Sequence, residues 1–226
     1  MPRVQPSRGI MITIHHLHDS RSERIIWLME ELGLPYQLDF YHRVPVGGGR
    51  LAPETMAKIH PFGTAPMISD GPVVIAESGA IVDYVIHKYG NGKLSVGPQA
   101  PNYGEYLFWL HFAEGTLMSQ ILREFLLDRI GADAQSFPAQ RLRQRNKMYF
   151  DYVEARLAAA PYFAGAEFTA ADIMMVFPFT TLQKFKAIDL APYPKLRAYL
   201  LRIAERPAYK KAMKLADGDA TSKEAS

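Results

Sequence analysis

The chain has 226 residues, 48% of them apolar, with 26 Lys and Arg against 23 Asp and Glu for a net charge of +3. That length allows one large domain or two modest ones with a sizeable core, and the interspersed charges leave no basic footprint for nucleic acid. There is no cysteine, which excludes disulfides, thiolate metal sites and a cysteine nucleophile.

The apolar runs fall well short of the ~18 residues of a membrane span. Residues 1–10 hold Pro2, Arg3, Pro6 and Arg8 and no apolar stretch. They read as a disordered extension rather than a signal peptide, with Met11 as an alternative start, and a cytoplasmic protein is expected.

Met11 to His16 reads as a strand. Ser22 to Gly33 reads as a helix, with Ile25, Ile26, Leu28, Met29 and Leu32 at helical spacing and Gly33 as the stop. Pro35 to Phe40 alternates as a second strand, so residues 11–40 form a strand–helix–strand unit long enough for a parallel crossover. Val44 to Pro53, with three consecutive glycines and two prolines, reads as a loop. The apolar run Ala65-Pro66-Met67-Ile68 opens a strand, where a proline is tolerated. Asp70-Gly71 turns it into Val73-Val74-Ile75. Glu77-Ser78 then opens a helix with Ile81, Val82, Val85 and Ile86 on its apolar face. The order βαβ then ββα is a thioredoxin-like arrangement.

Residues 91–102 are rich in Gly, Pro and polar residues and read as a linker. Beyond it no strand pattern occurs, and helices are expected at about 103–131, 138–160, 170–186, 193–204 and 207–215. Arg141 to Lys147 suits the wet face of one of them. Thr169 and Asp172 form a capping box flanked by Phe168 and Ile173. Pro178 is expected to kink its helix, and Asp217 to Ser226 to fray. The fold class is thus an α/β thioredoxin-like N-terminal domain at 11–90 and an all-α domain at 103–216.

Several residues suggest chemistry. A helix N-terminus with free N–H groups and a hydroxyl, as at Glu77-Ser78, suits a carboxylate. Ser20 and Ser22 sit between the first strand and first helix, and Ser20-Arg21-Ser22-Glu23 also has the form of a capping box. His15, His16, His18 and Asp19 lack a distant partner cluster, so structural histidines are expected there rather than a metal site.

Thr64-Ala65-Pro66-Met67 followed by Glu77-Ser78-Gly79-Ala80-Ile81 resembles the glutathione-binding half of the cytosolic glutathione S-transferases. His15 to Arg24, Trp27 to Tyr36 and Tyr106 to Gly115 resemble a fungal and bacterial subgroup of the serine type, and the likeness covers nearly all of residues 11–215. The resemblance implies a homodimer that takes glutathione as co-substrate and attacks a hydrophobic small-molecule electrophile or a peroxide with its thiolate. It implies a cis Pro66 and pairing of the Ala65 backbone with the cysteinyl unit, and places Glu77 and Ser78 at the γ-glutamyl end. It puts Ser20, with Ser22 as second candidate, on the thiol. For the glycyl carboxylate it points to Arg50, with Arg43 and Lys58 as rivals. Trp109 would border the electrophile pocket or the dimer, and Glu114 would reach the partner's glutathione. No metal, nucleic acid or membrane is implied. Thr64 stands where many members have lysine, and Ala65 where valine is more usual. Two other functions fit the same fold: a non-catalytic binding or regulatory module, and a specialised glutathione-dependent isomerase, dehalogenase or ether-cleaving enzyme.

Overall fold

A computed structural model describes residues 11–47 and 49–218; the extension at 1–10 and most of the expected frayed tail lie outside the described residues. The chain divides into two compact units, one running as far as Val85 and including the segment from Lys211, the other Ile86–Lys210.

In the first unit, β1 (Ile12–Leu17), α1 (Glu23–Leu32) and β2 (Tyr36–Tyr41) form the expected crossover. β5 (Met67–Asp70) and β6 (Val73–Ala76) follow, and α2 (Ser78–Lys88) starts immediately after. The sheet order is β2-β1-β5-β6, with only the β1–β2 pair parallel. Ile25, Ile26, Leu28 and Met29 of α1 are wholly buried with Ile14 of β1 and Ile81, Val82 and Val85 of α2. Burial of this apolar face, rather than helix propensity, holds such short elements. Gly33 ends α1 at φ 67°. Its N–H bonds Glu30 O, and Leu34 N–H reaches back to Met29 O at 3.0 Å, a Schellman closure that needs a residue free to turn left-handed.

The stretch expected as a loop contains a short hairpin, β3 (Val44–Val46) against β4 (Gly49–Leu51). A single helical turn covers Glu54–Lys58.

The second unit is all helical. The expected long helix at 103–131 is three pieces: α3 (Tyr103–Phe112), a π-type turn at Ala113–Met118 and α4 (Ser119–Arg129). Gly115 and Thr116 are weak helix formers there, and Ser119 Oγ bonds Glu114 O at 3.0 Å, helping to satisfy a carbonyl that the wider turn loosens. α5 (Phe137–Ala159), α6 (Ala170–Val176), α7 (Pro194–Ala204) and α8 (Pro207–Ala216) follow, the last turns of α8 belonging to the first unit. α3 packs on α6, and α5 on both α4 and α7. Pro178 ends its helix instead of kinking it: α6 stops at Val176 and gives way to tighter turns at Phe177–Phe179 and Thr181–Lys184, because the proline brings no N–H to the ladder.

The capping box forms as expected. Asp172 is fully buried and its carboxylate accepts bonds from Thr169 N–H (2.9 Å), Phe163 N–H (3.0 Å) and Tyr199 O–H (3.1 Å). Burial pushes its pKa up to about 6 although these donors pull the other way. Among the described residues, no helix is long and apolar enough to cross a membrane.

Candidate active site

Strand register brings the separated motifs to one edge of the sheet. His15 of β1 lies opposite Met67 of β5, Met67 lies opposite Ala76 of β6, and Leu17 lies beside Tyr41 of β2. The exits of β1, β2 and β6 and the entry of β5 therefore share one end. Onto that end fall Ser20 and Ser22 after β1, Arg43 after β2, Ala65 and Pro66 before β5, and Glu77 and Ser78 after β6.

The turn after β1 is tightly bonded. Ser20 and Ser22 are both buried, and their Oγ atoms are 2.7 Å apart. Ser20 Oγ also accepts the Ser22 N–H at 3.3 Å. Ser22 Oγ accepts the Leu17 N–H at 3.2 Å and lies 2.8 Å from His16 Nδ1. His16 in turn bonds Ala216 O at 3.0 Å through Nε2. Burial pushes the His16 pKa down to about 4. The serine pair thus bonds across the turn and into β1.

Arg43 grips the same turn from outside. Its Nε donates to His18 O at 2.9 Å and its Nη2 to Asp19 O at 3.0 Å. Desolvation lowers its pKa. Arg50 is exposed on β4 and Lys58 is exposed on the single helical turn.

Ala65 and Pro66 are buried and joined by a cis bond. Ala65 packs with Leu17, Met56 and Met67, which fixes the entry to β5 against the exit of β1. Glu77 is exposed and left-handed at φ 73°, a conformation that disfavours a side chain and tends to mark functional turns. Ser78 is buried, with 1% exposure, and its Oγ has no hydrogen-bond partner. A hydroxyl in that state costs free energy unless something meets it. It lies at the start of α2, where helix geometry leaves the first N–H groups without intrahelical acceptors.

Trp109 and Glu114 belong to the second unit. Trp109 is fully buried, bonds Glu105 through Nε1 at 3.0 Å and stacks on Tyr152, so its side chain is part of the helical packing. Glu114 is the second residue of the π-type turn and is partly buried. A separate cleft of about 740 Å³, lined by Ile121, Phe150, Lys186 and Tyr193 among others, includes Arg143 and Lys147 of the basic stretch but none of the candidate glutathione-site residues.

The histidines do not act as one group. His15 bonds Ser69 Oγ at 2.8 Å and His16 joins the serine pair. His18, Asp19 and Asp217 place possible ligand atoms within 4.8 Å of one another, but Arg43 is bound to the same turn and adds a positive charge that opposes a cation there.

His16 was recognisable in the sequence only as a possible edge or metal-binding histidine. The signal for its bond to Ser22 is their six-residue separation across the strand exit. Nothing in the sequence signals Ala216, whose contribution is a backbone carbonyl.

Comparison with known proteins agrees with this geometry. The family model described as the glutathione S-transferase N-terminal domain matches residues 14–94, and that for the C-terminal domain matches 116–207. Glutathione S-transferase 3 of Schizosaccharomyces pombe is 33% identical over 210 residues, covering 88% of this chain and 85% of its own. Glutathione S-transferase 1 of Saccharomyces cerevisiae is 26% identical over 219 residues, covering 88% and 92%. A crystal structure of a glutathione S-transferase from Actinobacillus pleuropneumoniae superposes with TM-score 0.82 at 32% identity, covering 94% of this chain and 98% of that one. With a thioredoxin-like unit and an all-helical unit each matched in turn, the chain belongs to the glutathione S-transferase family.

Proposed function

We propose that the chain is a serine-type glutathione transferase, which binds glutathione as co-substrate and stabilises its thiolate for attack on a hydrophobic electrophile or a peroxide. The observation that carries this reading is the convergence, at one sheet edge, of the buried Ser20 hydroxyl, the Ala65–Pro66 strand entry and the unpartnered Ser78 hydroxyl at the α2 N-terminus. A free thiol has a pKa of about 8.5, so little of it is nucleophilic near neutrality. A hydroxyl donor favours the thiolate without adding a competing negative charge. Ser20 is assigned that task over Ser22, whose Oγ is already engaged by Leu17 N–H and His16 Nδ1.

In this reading the Ala65 backbone pairs with the cysteinyl unit. Glu77 and Ser78, with the first N–H groups of α2, hold the γ-glutamyl end. Arg50 is assigned to the glycyl carboxylate, since Arg43 already bonds three backbone carbonyls. Residues 11–90 serve as the glutathione-binding domain, 91–102 as linker and 103–216 as the helical domain. The protein works as a homodimer in the cytoplasm, with Glu114 facing the partner's glutathione.

The test is the ultraviolet absorbance of bound glutathione thiolate, titrated with pH, beside turnover of an aryl halide and a set of peroxides. Ser20→Ala raises the thiol pKa and lowers turnover, by up to ~10²-fold for loss of one donor to an anion. An unmoved titration in Ser20→Ala would refute the assignment.

A further inference from the structure

The hydrogen-bond chain through Ser20, Ser22, His16 and Ala216 has a direction that follows from donor and acceptor chemistry. Ala216 O, 3.0 Å from His16 Nε2, is a carbonyl oxygen and can only accept. Nε2 therefore carries a proton. His16 is fully buried, with the Phe40 ring edge-on at 4.9 Å, and this apolar setting keeps the imidazole neutral. A neutral ring protonated at Nε2 has a bare Nδ1. The Ser22 hydroxyl, 2.8 Å away, must then donate to Nδ1. Its other acceptor, Leu17 O, lies at 3.5 Å and competes poorly. With its one proton committed, Ser22 Oγ can only accept from its remaining neighbours. Those are Leu17 N–H at 3.2 Å and the Ser20 hydroxyl at 2.7 Å. The Ser20 proton therefore points inward.

We propose that the carbonyl at the end of α8, acting through His16 and Ser22, sets the direction of the Ser20 hydroxyl: His16 and Ser22 are positioning residues that hold the Ser20 proton inward at rest, so that Ser20 donates to the thiolate only against their pull. This rests on Ser20 being the thiol-facing serine. The resting Ser20 Oγ offers lone pairs, which suit a thiol S–H. To donate to a thiolate, Ser20 must release Ser22 and bring two oxygens 2.7 Å apart to face each other without a proton between them. Relief requires Ser22 to turn its own proton to Ser20, which strands a buried Nδ1 unless the imidazole exchanges tautomers. That exchange in turn sets a bare Nε2 against Ala216 O. The end of the C-terminal helix thereby opposes thiolate formation, and loosening any link in the chain favours it. The other charged groups near His16 are His18, Asp19 and Asp217; all three are left in place by the substitutions below.

The test uses the full chain with bound glutathione and reads the thiolate absorbance against pH. Ser22→Ala removes the acceptor for the Ser20 proton. His16→Gln keeps a donor for Ala216 but removes the Nδ1 acceptor, freeing Ser22 to donate to Ser20. Each lowers the bound thiol pKa by about half to one unit, the scale of one redirected hydrogen bond. His16→Asn places an acceptor near the Nδ1 position and stays near the parent value. In a Ser20→Ala background the Ser22→Ala effect disappears. A rise in thiol pKa in Ser22→Ala, or no shift in either Ser22→Ala or His16→Gln while Ser20→Ala does shift it, overturns this inference and leaves the Ser20 assignment standing. An unmoved Ser20→Ala titration removes both. Nitrogen NMR of His16 in the unsubstituted protein gives a second reading that does not depend on a variant folding. A proton on Nε2 is expected, and a proton on Nδ1 overturns the chain's direction.

Discussion

Replacing Asp172 by alanine removes the acceptor on which three buried segments close. The carboxylate receives two backbone N–H groups, from Phe163 and Thr169, and the Tyr199 phenol. Phe163, Tyr199 and Asp172 are each 0% exposed, so water cannot take its place without opening the unit. Each orphaned buried donor costs about 1–3 kcal/mol. Against this, the variant no longer buries a charge. The rise in pKa to about 6 from 3.8 corresponds to about 3 kcal/mol against the ionised form. The remainder is a loss of about 3 kcal/mol at neutral pH, as expected when one member of a buried polar set is removed. In a chain of this size that lowers Tm by about 6–12 °C. The pH dependence has a definite sign. A carboxyl whose folded pKa is raised contributes stability that is complete below about 3.8 and is lost as pH rises through about 6. The gap between parent and Asp172→Ala must therefore widen as pH falls from 7 to 4. Denaturant unfolding at a series of pH values, followed by tyrosine fluorescence and circular dichroism, measures it. A loss below ~1 kcal/mol, within the ordinary range of surface substitutions, or a gap that narrows in acid, would show that Asp172 is not the node described.

Other outcomes follow from the first unit. Neutral His16 contributes stability that is present above pH 6.5 and lost as pH falls toward about 4, an amount of about 3 kcal/mol; His16→Gln should flatten that part of the pH–stability curve, and an unchanged slope refutes the burial argument. Glu77→Gly relieves a left-handed side chain at φ 73°, so the melting temperature should hold or rise by the equivalent of up to ~1 kcal/mol, while the glutathione Kd measured by calorimetry rises. Because the contact proposed for Glu77 would act equally in ground and transition states, turnover at saturating glutathione should change little. Sedimentation at micromolar concentration should give about twice the 25.5 kDa chain mass, and a clean monomer with full glutathione affinity would refute the dimer.

What could be read from the sequence, and what could not, separates along the range of the interactions involved. The βαβ and ββα units were legible because their apolar periods, and the stops at Gly33 and Asp70-Gly71, are local. The capping box at Thr169–Asp172 was legible for the same reason, but the bonds from Phe163 and Tyr199 that make Asp172 a node come from nine residues before it and 27 after. The hairpin at 44–51 was hidden because its glycines and proline carry a loop's composition, while its two three-residue strands are too short for alternation to register. The π-type turn at Ala113–Met118 left no mark because an extra residue per turn changes the phase of a helix without changing its composition. The candidate site lies between these limits. Its motifs are separated in the chain, Ser20 preceding Pro66 by 46 positions and Ser78 by 58, yet they could be joined because strand register converts spacing into proximity: once β1 pairs antiparallel with β5, and β5 with β6, Ser20, Pro66 and Ser78 must meet at one end of the sheet. The direction of the Ser20 hydroxyl could not be joined in this way. It depends on a main-chain oxygen 200 residues from His16, and every residue offers the same main-chain carbonyl. A serine's chemistry can therefore be set by a partner whose identity leaves no trace in the sequence, which is why the helix end at Ala216 has to be tested through His16 and Ser22 and not by substitution at position 216 itself.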